Sequence, residues 1–158
     1  YPKTIPINPY GIAKLQCEQW CDYYSELGLN VIILRLSNVY GKGGKGVVNQ
    51  FITRLKEKLP LTIYGDGMQI RDYVYIDDVI EVIENYIETK NWDNFECFEV
   101  GTGNGNNIWK ILEILSNIAK QDIKICFEPE KEEIRSSVLK YRNHTILREG
   151  IEQLWNEK

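Results

Sequence analysis

Methionine and histidine are nearly missing from these 158 residues: each occurs once, as Met68 and His144. One histidine in a polar stretch gives a Ser-His-Asp arrangement or a His-rich metal site little to build on. The chain does not open on methionine, and the expectation is a piece of a longer protein. The four cysteines, at positions 17, 21, 97 and 126, are too sparse for a disulfide scaffold and lack the Cys-x-x-Cys spacing of a zinc site. Cys17 and Cys21 stand one helical turn apart, a spacing open to a soft metal or to two small thiols; no metal is expected. Long apolar runs are also missing. The longest aliphatic run covers residues 31–34, against the ~20 residues that span a bilayer. No basic segment followed by an apolar stretch opens the chain, so the expectation is a cytoplasmic protein without a membrane span. An excess of one charge is missing too. Nineteen basic and 23 acidic side chains leave a net charge of −4, which offers no global field to nucleic acid or anionic lipid.

What is there suits a packed core: 43% of residues are hydrophobic and 27% charged, with 12 glycines and five prolines. That composition excludes collagen-like, low-complexity and disordered chains, and the length fits one domain better than two. Residues 1–8 read as an extended loop. Pro9 then suits the first turn of a helix, and Ile12, Leu15, Gln16, Trp20, Tyr23 and Tyr24 recur at helical spacing up to Gly28. Residues 31–36 are β-branched and apolar on both faces, the pattern of a central parallel strand covered by helices on both sides. A Gly-rich loop at 41–46 precedes an amphipathic helix at 47–58, a strand at 61–64 and a tight turn at 65–67. Further elements are a helix at 77–89, a strand at 97–100, a loop at 102–106, a helix from the cap Asn107 to 120, a strand at 123–127 and a last helix at 145–155. Strands alternating with helices predict an α/β protein with parallel pairing. There is no internal repeat, and no linker long enough to divide the chain.

Tyr10-Gly11-Ile12-Ala13-Lys14 is the first motif that carries chemistry. A tyrosine and a lysine at i and i+4 share one helix face, and the ammonium and the helix N-terminus both favour the phenolate that a general acid/base needs. Taken alone, the spacing equally describes a surface aromatic beside a solvated lysine. Asp77 and Asp78 resemble a metal or catalytic pair on paper, but their place at a helix start favours capping. Residues 41–46 have the glycine separation of G-x-x-x-x-G-K-[ST]; Val47 and Val48 occupy the Lys and Ser/Thr positions, which refutes a phosphate loop. Lys42 and Lys45 remain possible phosphate contacts or plain solvated lysines. In Gly101-Thr102-Gly103-Asn104-Gly105 the third glycine of G-x-G-x-x-G falls on Asn106, so the dinucleotide fingerprint is weak.

The order of three segments adds more. Asn8-Pro9-Tyr10-Gly11-Ile12-Ala13-Lys14, then Leu34-Arg35-Leu36-Ser37-Asn38-Val39-Tyr40-Gly41, then Ile63-Tyr64-Gly65-Asp66-Gly67-Met68-Gln69-Ile70-Arg71-Asp72-Tyr73-Val74-Tyr75-Ile76-Asp77-Asp78-Val79 follow one another at characteristic spacing. They resemble, in sequence and order, the second half of the NAD-dependent epimerase/dehydratase family, extended short-chain dehydrogenases that act on nucleotide-diphosphate sugars. Phe98-Glu99-Val100-Gly101-Thr102-Gly103 is similar to the family's next element, so the resemblance runs from residue 6 to about 120.

The resemblance implies the C-terminal part of a Rossmann-like, doubly wound parallel sheet plus a smaller substrate lobe. It implies that residues 1–46 are the remainder of the dinucleotide-binding domain and that 47–158 form mainly the substrate lobe, with about 77–101 returning to the Rossmann core. Tyr10 becomes the acid/base acting on a sugar hydroxyl, and Lys14 a ligand of the nicotinamide ribose. Ser37 and Val39, in the turn after the strand, line the cofactor, and Asn38 donates to the substrate or simply locks the loop. Arg71 binds the substrate diphosphate, as an arginine fork suits; its rival role is an ion pair with Asp72 or Asp66. The implied cofactor is NAD, with NADP open, and the implied partners are a nucleotide-diphosphate sugar and a second copy in a homodimer.

Two departures qualify this. Where the family offers an arginine, then Gly-Asp, then an aspartate that help bind the nucleotide, residues 130–140 place Glu130 and Lys140; Arg135 is the candidate substitute. The glycine-rich turn for the dinucleotide and the Ser/Thr partner of the tyrosine have no counterpart here, so the chain alone is expected to be inactive. Epimerase is the leading activity, with a 4,6-dehydratase or a non-catalytic sugar-nucleotide-binding or assembly module as alternatives.

Overall fold

The computed structural model describes residues 5–89, 93–130, 136–139 and 145–157. The chain forms two compact units, one of residues 1–35 with 83–98 and one of residues 36–82 with 99–158.

The first unit is built on α1 (Pro9–Glu26). Asn8 caps it, its side chain accepting from Gly11 N–H at 2.8 Å, and Pro9 takes a first-turn position where no donor is needed. The helix stops where Gly28 turns to φ +96. Its apolar stripe is open: Ile12, Trp20, Tyr23 and Tyr24 are all exposed, and Leu15 is half-buried. β1 (Val31–Leu36) has β5 (Phe95–Val100) as its partner in a two-stranded sheet and is half-buried along most of its length, where a fully covered central strand is expected. Tyr86 stacks on Phe98 with centroids 5.0 Å apart.

The second unit holds the main core. β2 (Asn38–Tyr40) runs parallel to β4 (Ile70–Tyr75), pairing Asn38 with Tyr73 and Tyr40 with Tyr75. The strand-like character of 38–40, expected as a turn, follows from this pairing with β4, which no local pattern announces. β3 (Leu61–Tyr64) pairs in parallel with β7 (Ile125–Glu128), Leu61 opposite Ile125. β6 (Gly105–Asn106) lies antiparallel to β4, with Arg71 opposite Asn106, so part of the expected 102–106 loop is a strand. β8 (Ser136–Ser137) joins β4 in parallel. α2 (Val47–Lys56), α4 (Ile108–Ala119) and α5 (Leu147–Asn156) cover this framework with Phe51, Leu55, Ile111, Leu115 and Ile151, all buried. Asn107 caps α4 as expected, accepting from Lys110 N–H at 3.0 Å.

α3 (Ile76–Thr89) begins one residue earlier than the sequence pattern suggests. Asp77 and Asp78 therefore sit inside its first turn, where they still complement the helix dipole. Asp78 is buried and accepts from Thr145 Oγ1 at 2.6 Å, so its carboxylate serves a tertiary contact rather than a cap.

Candidate active site

In the first unit the capped start of α1 sets Tyr10 and Lys14 one turn apart on one face. Tyr10 is 72% exposed, and Lys14 Nζ lies 5.6 Å from its ring centroid, over the π face. Glu18 follows one turn later on the same face. Both of its oxygens are held by Arg35 of β1, from Nε at 2.9 Å and from Nη2 at 2.6 Å, with side chains only 15% and 16% exposed. Strand and helix are thus locked by a bidentate pair.

Accessibility separates Tyr10 from the buried tyrosines. Burial, then the Asp78 carboxylate, then Tyr75 push the Tyr40 phenol well above its ordinary range. Burial, then the nearby Glu157 carboxylate, push Tyr75 up to about 12. Neither buried phenol is suited to give up its proton near neutral pH.

The second unit contains a cleft of about 210 Å³. Asn38 and Tyr73, partners across β2 and β4, line it together with Arg71, two residues along the same face of β4. Phe51 of α2, Ile63 of β3 and Ile108 of α4 supply apolar wall, and Thr62, Tyr64 and Gln69 supply polar groups. Arg71 is half-buried, and its Nη1 donates to Ile70 O at 3.0 Å. A guanidinium and a side-chain amide in a partly apolar cleft suit an anionic ligand with a flat ring attached.

The rival partner Asp72 is elsewhere. Strand alternation turns it to the opposite face, where its buried carboxylate accepts from Thr102 N–H, Thr102 Oγ1, Gly103 N–H and, at 3.4 Å, Leu139 N–H. A Cβ on Gly101 would run into Asp72 Oδ2, so glycine is required for that approach. Asp72 is a residue that sequence reasoning missed as a structural clasp; the available signal was an aspartate at an inward position of a strand.

Ser37 N–H donates to Val100 O at 2.9 Å, while its buried Oγ has no hydrogen-bond partner among the described residues. Val39 is half-buried, and Asn38 is exposed on the cleft side. Lys42 and Lys45 are exposed. Glu130 packs beside Gly65. Arg135, Lys140 and His144 lie outside the described residues. Thr62, Tyr64 and Gln69 also escaped the sequence reading; the alternation of Thr62 and Tyr64 along β3 was the signal that places them on one face. Among the described residues no group of three or more His, Cys, Asp or Glu is arranged to hold a metal, and no helix is long and apolar enough to cross a membrane.

A model of the NAD dependent epimerase/dehydratase family matches residues 2–101. The UDP-glucuronate 4-epimerase of Thermodesulfobacterium geofontis is 32% identical over 123 residues, 75% of this chain and 37% of that protein. The dTDP-D-glucose 4,6-dehydratase of Dictyostelium discoideum is 35% identical over 100 residues, 61% of this chain and 23% of that protein. Among solved structures, the UDP-glucose 4-epimerase of Thermotoga maritima with UDP-glucose superposes with a TM-score of 0.86 at 34% identity, over 96% of this chain and 53% of that one. The UDP-glucuronic acid 4-epimerase of Bacillus cereus, in complex with UDP-glucuronic acid and NAD, gives a TM-score of 0.87 at 30% identity, over 98% and 53%. The chain spans about half the length, or less, of the curated relatives it matches.

Proposed function

The chain belongs to the NAD dependent epimerase/dehydratase family, and from that premise we propose that it supplies the proton-transfer pair and the nucleotide-sugar lobe of an NAD-dependent nucleotide-sugar 4-epimerase. The observation that carries the reading is the cleft in which Asn38, Arg71 and Tyr73 meet. Arg71 holds the diphosphate with its guanidinium fork, and the Asn38 amide donates to the substrate. The apolar wall of Phe51 and Ile108 and the ring of Tyr64 take the flat base.

The residues of the first unit fit one end of NAD: an accessible phenol and an ammonium one turn apart can face ribose hydroxyls. When bound, that cofactor would supply hydride acceptance and return at the sugar C4. Tyr10 takes the proton from the C4 hydroxyl and later gives it back to the keto oxygen. Lys14 sets its ammonium beside the phenol and binds the ribose. Ser37 and Val39 line the nicotinamide end. Hydride returned to the opposite face of a 4-keto sugar, with the proton from Tyr10, would invert C4.

A dehydratase relative at 35% identity favours a second reading, in which the keto sugar loses water before hydrogen returns. The two differ in product mass by one water. Because the relatives are about twice as long, the 158-residue chain by itself is expected to bind nucleotide sugar without turning it over. Equilibrium dialysis with UDP- and dTDP-sugars, with and without NAD, tests this. Binding of nucleotide sugar that needs no cofactor supports the reading, and retention of neither sugar class sinks it.

A further inference from the structure

The face of α1 that carries Tyr10 and Lys14 also carries Glu18, each four residues from the last. A lysine and a glutamate at that spacing are within ion-pair reach of each other. Among the described residues Lys14 makes no such pair; its ammonium lies over the Tyr10 ring, and both oxygens of Glu18 are occupied by Arg35. The geometry points to Arg35 as a positioning residue for the Tyr10 and Lys14 pair: by holding both oxygens of Glu18 it stops that carboxylate from drawing Lys14 down the helix, away from the phenol.

Relative strengths favour this. An exposed helix ion pair and an exposed cation–π contact are similar in size, so Lys14 is balanced between the two neighbours and a freed carboxylate tips it. The Arg35 and Glu18 pair is stronger than either, because it is bidentate and mostly sheltered from water. It also fixes where the face points, since one partner stands on β1 and the other on α1. The consequence for proton transfer rests on the reading of Tyr10 and Lys14 given above; the side-chain geometry does not.

Nuclear Overhauser contacts between the Lys14 ε-methylene and the Tyr10 ring report that geometry directly. The wild-type chain is expected to show them. Arg35→Met is expected to lose at least half their intensity, and Arg35→Met combined with Glu18→Gln to recover it, although both variants lack the ion pair. A purely structural ion pair would lower the melting temperature in both and restore nothing. Undiminished contacts in Arg35→Met, or no recovery in the double variant, overturn the inference, as does their absence from wild type. Should Arg35→Met not fold, Arg35→Lys decides, since it keeps the charge but cannot hold both oxygens: partial loss is expected, and no loss overturns. Nucleotide-sugar titration of the same wild-type sample separates the two claims, because failure to bind defeats the proposed function and leaves this comparison standing.

Discussion

Both carboxylate oxygens of Asp72 accept from the backbone N–H of Thr102 at 3.0 Å, and Thr102 Oγ1 closes the clasp on Oδ1 at 2.5 Å. A charge with no exposure is tolerable there because Gly103 N–H adds a further donor at 3.0 Å. The clasp ties β4, the strand that carries Arg71, to the loop before β6. Asp72→Asn puts an amide N–H against donors it cannot satisfy and is expected to cost about 3 kcal/mol in urea unfolding, against about 1 kcal/mol for Thr102→Val. A loss below about 1 kcal/mol for Asp72→Asn contradicts the clasp.

Alkaline pH tests the buried tyrosines. Tyr75 is pushed up to about 12 by burial and by Glu157, above the ordinary value near 10 of the unfolded chain. The unfolded state therefore loses this proton first, so the contribution to stability is full below pH about 10 and is lost as pH rises toward 12. Tyr75→Phe is expected to flatten that part of the stability profile. Its cost at neutral pH should be small, about 0.5–1 kcal/mol for the 3.3 Å bond to Glu157 Oε1. Parallel wild-type and Tyr75→Phe curves between pH 10 and 12 would show that Tyr75 is not held protonated.

Gly150 of α5 lies against the Tyr40 ring, and a Cβ there would collide with the Tyr40 hydroxyl. In an open helix, alanine would stabilise by about 1 kcal/mol. Here the overpacking term dominates, and Gly150→Ala is expected to destabilise by about 1–3 kcal/mol in thermal or urea unfolding. A stabilised variant would mean that α5 and β2 are not packed this closely.

Much of this was legible in the sequence where local chemistry decides. Pro9 and the cap Asn107 mark helix starts because first-turn chemistry is decided within about three residues. The 61–64 strand announces itself by the tight turn at 65–67 that follows it. Long-range contacts were not legible. The strand pairing of 38–40 needs β4, Asp78 is drawn from capping by Thr145, and Asp72 is drawn from Arg71 by a loop 30 residues on. Tyr10, Lys14, Asn38 and Arg71 could be singled out because their motifs are short. The rest of the cleft, Thr62, Tyr64 and Gln69, comes from a strand and a turn whose facing depends on the β3 and β7 pairing. The apolar stripe of α1 shows the converse: periodicity marks a face suited to burial without saying what covers it.

The central claim is that the Asn38, Arg71 and Tyr73 cleft takes a nucleotide-diphosphate sugar. Calorimetric titration of UDP-glucose and UDP-glucuronic acid into the wild-type chain and into Arg71→Met tests it most directly. Saturable one-site binding without NAD is expected, weakened about tenfold to a hundredfold in Arg71→Met, the size of a lost charge-assisted contact to phosphate. Equal affinity in the two proteins, or no binding of either sugar to wild type, would contradict it.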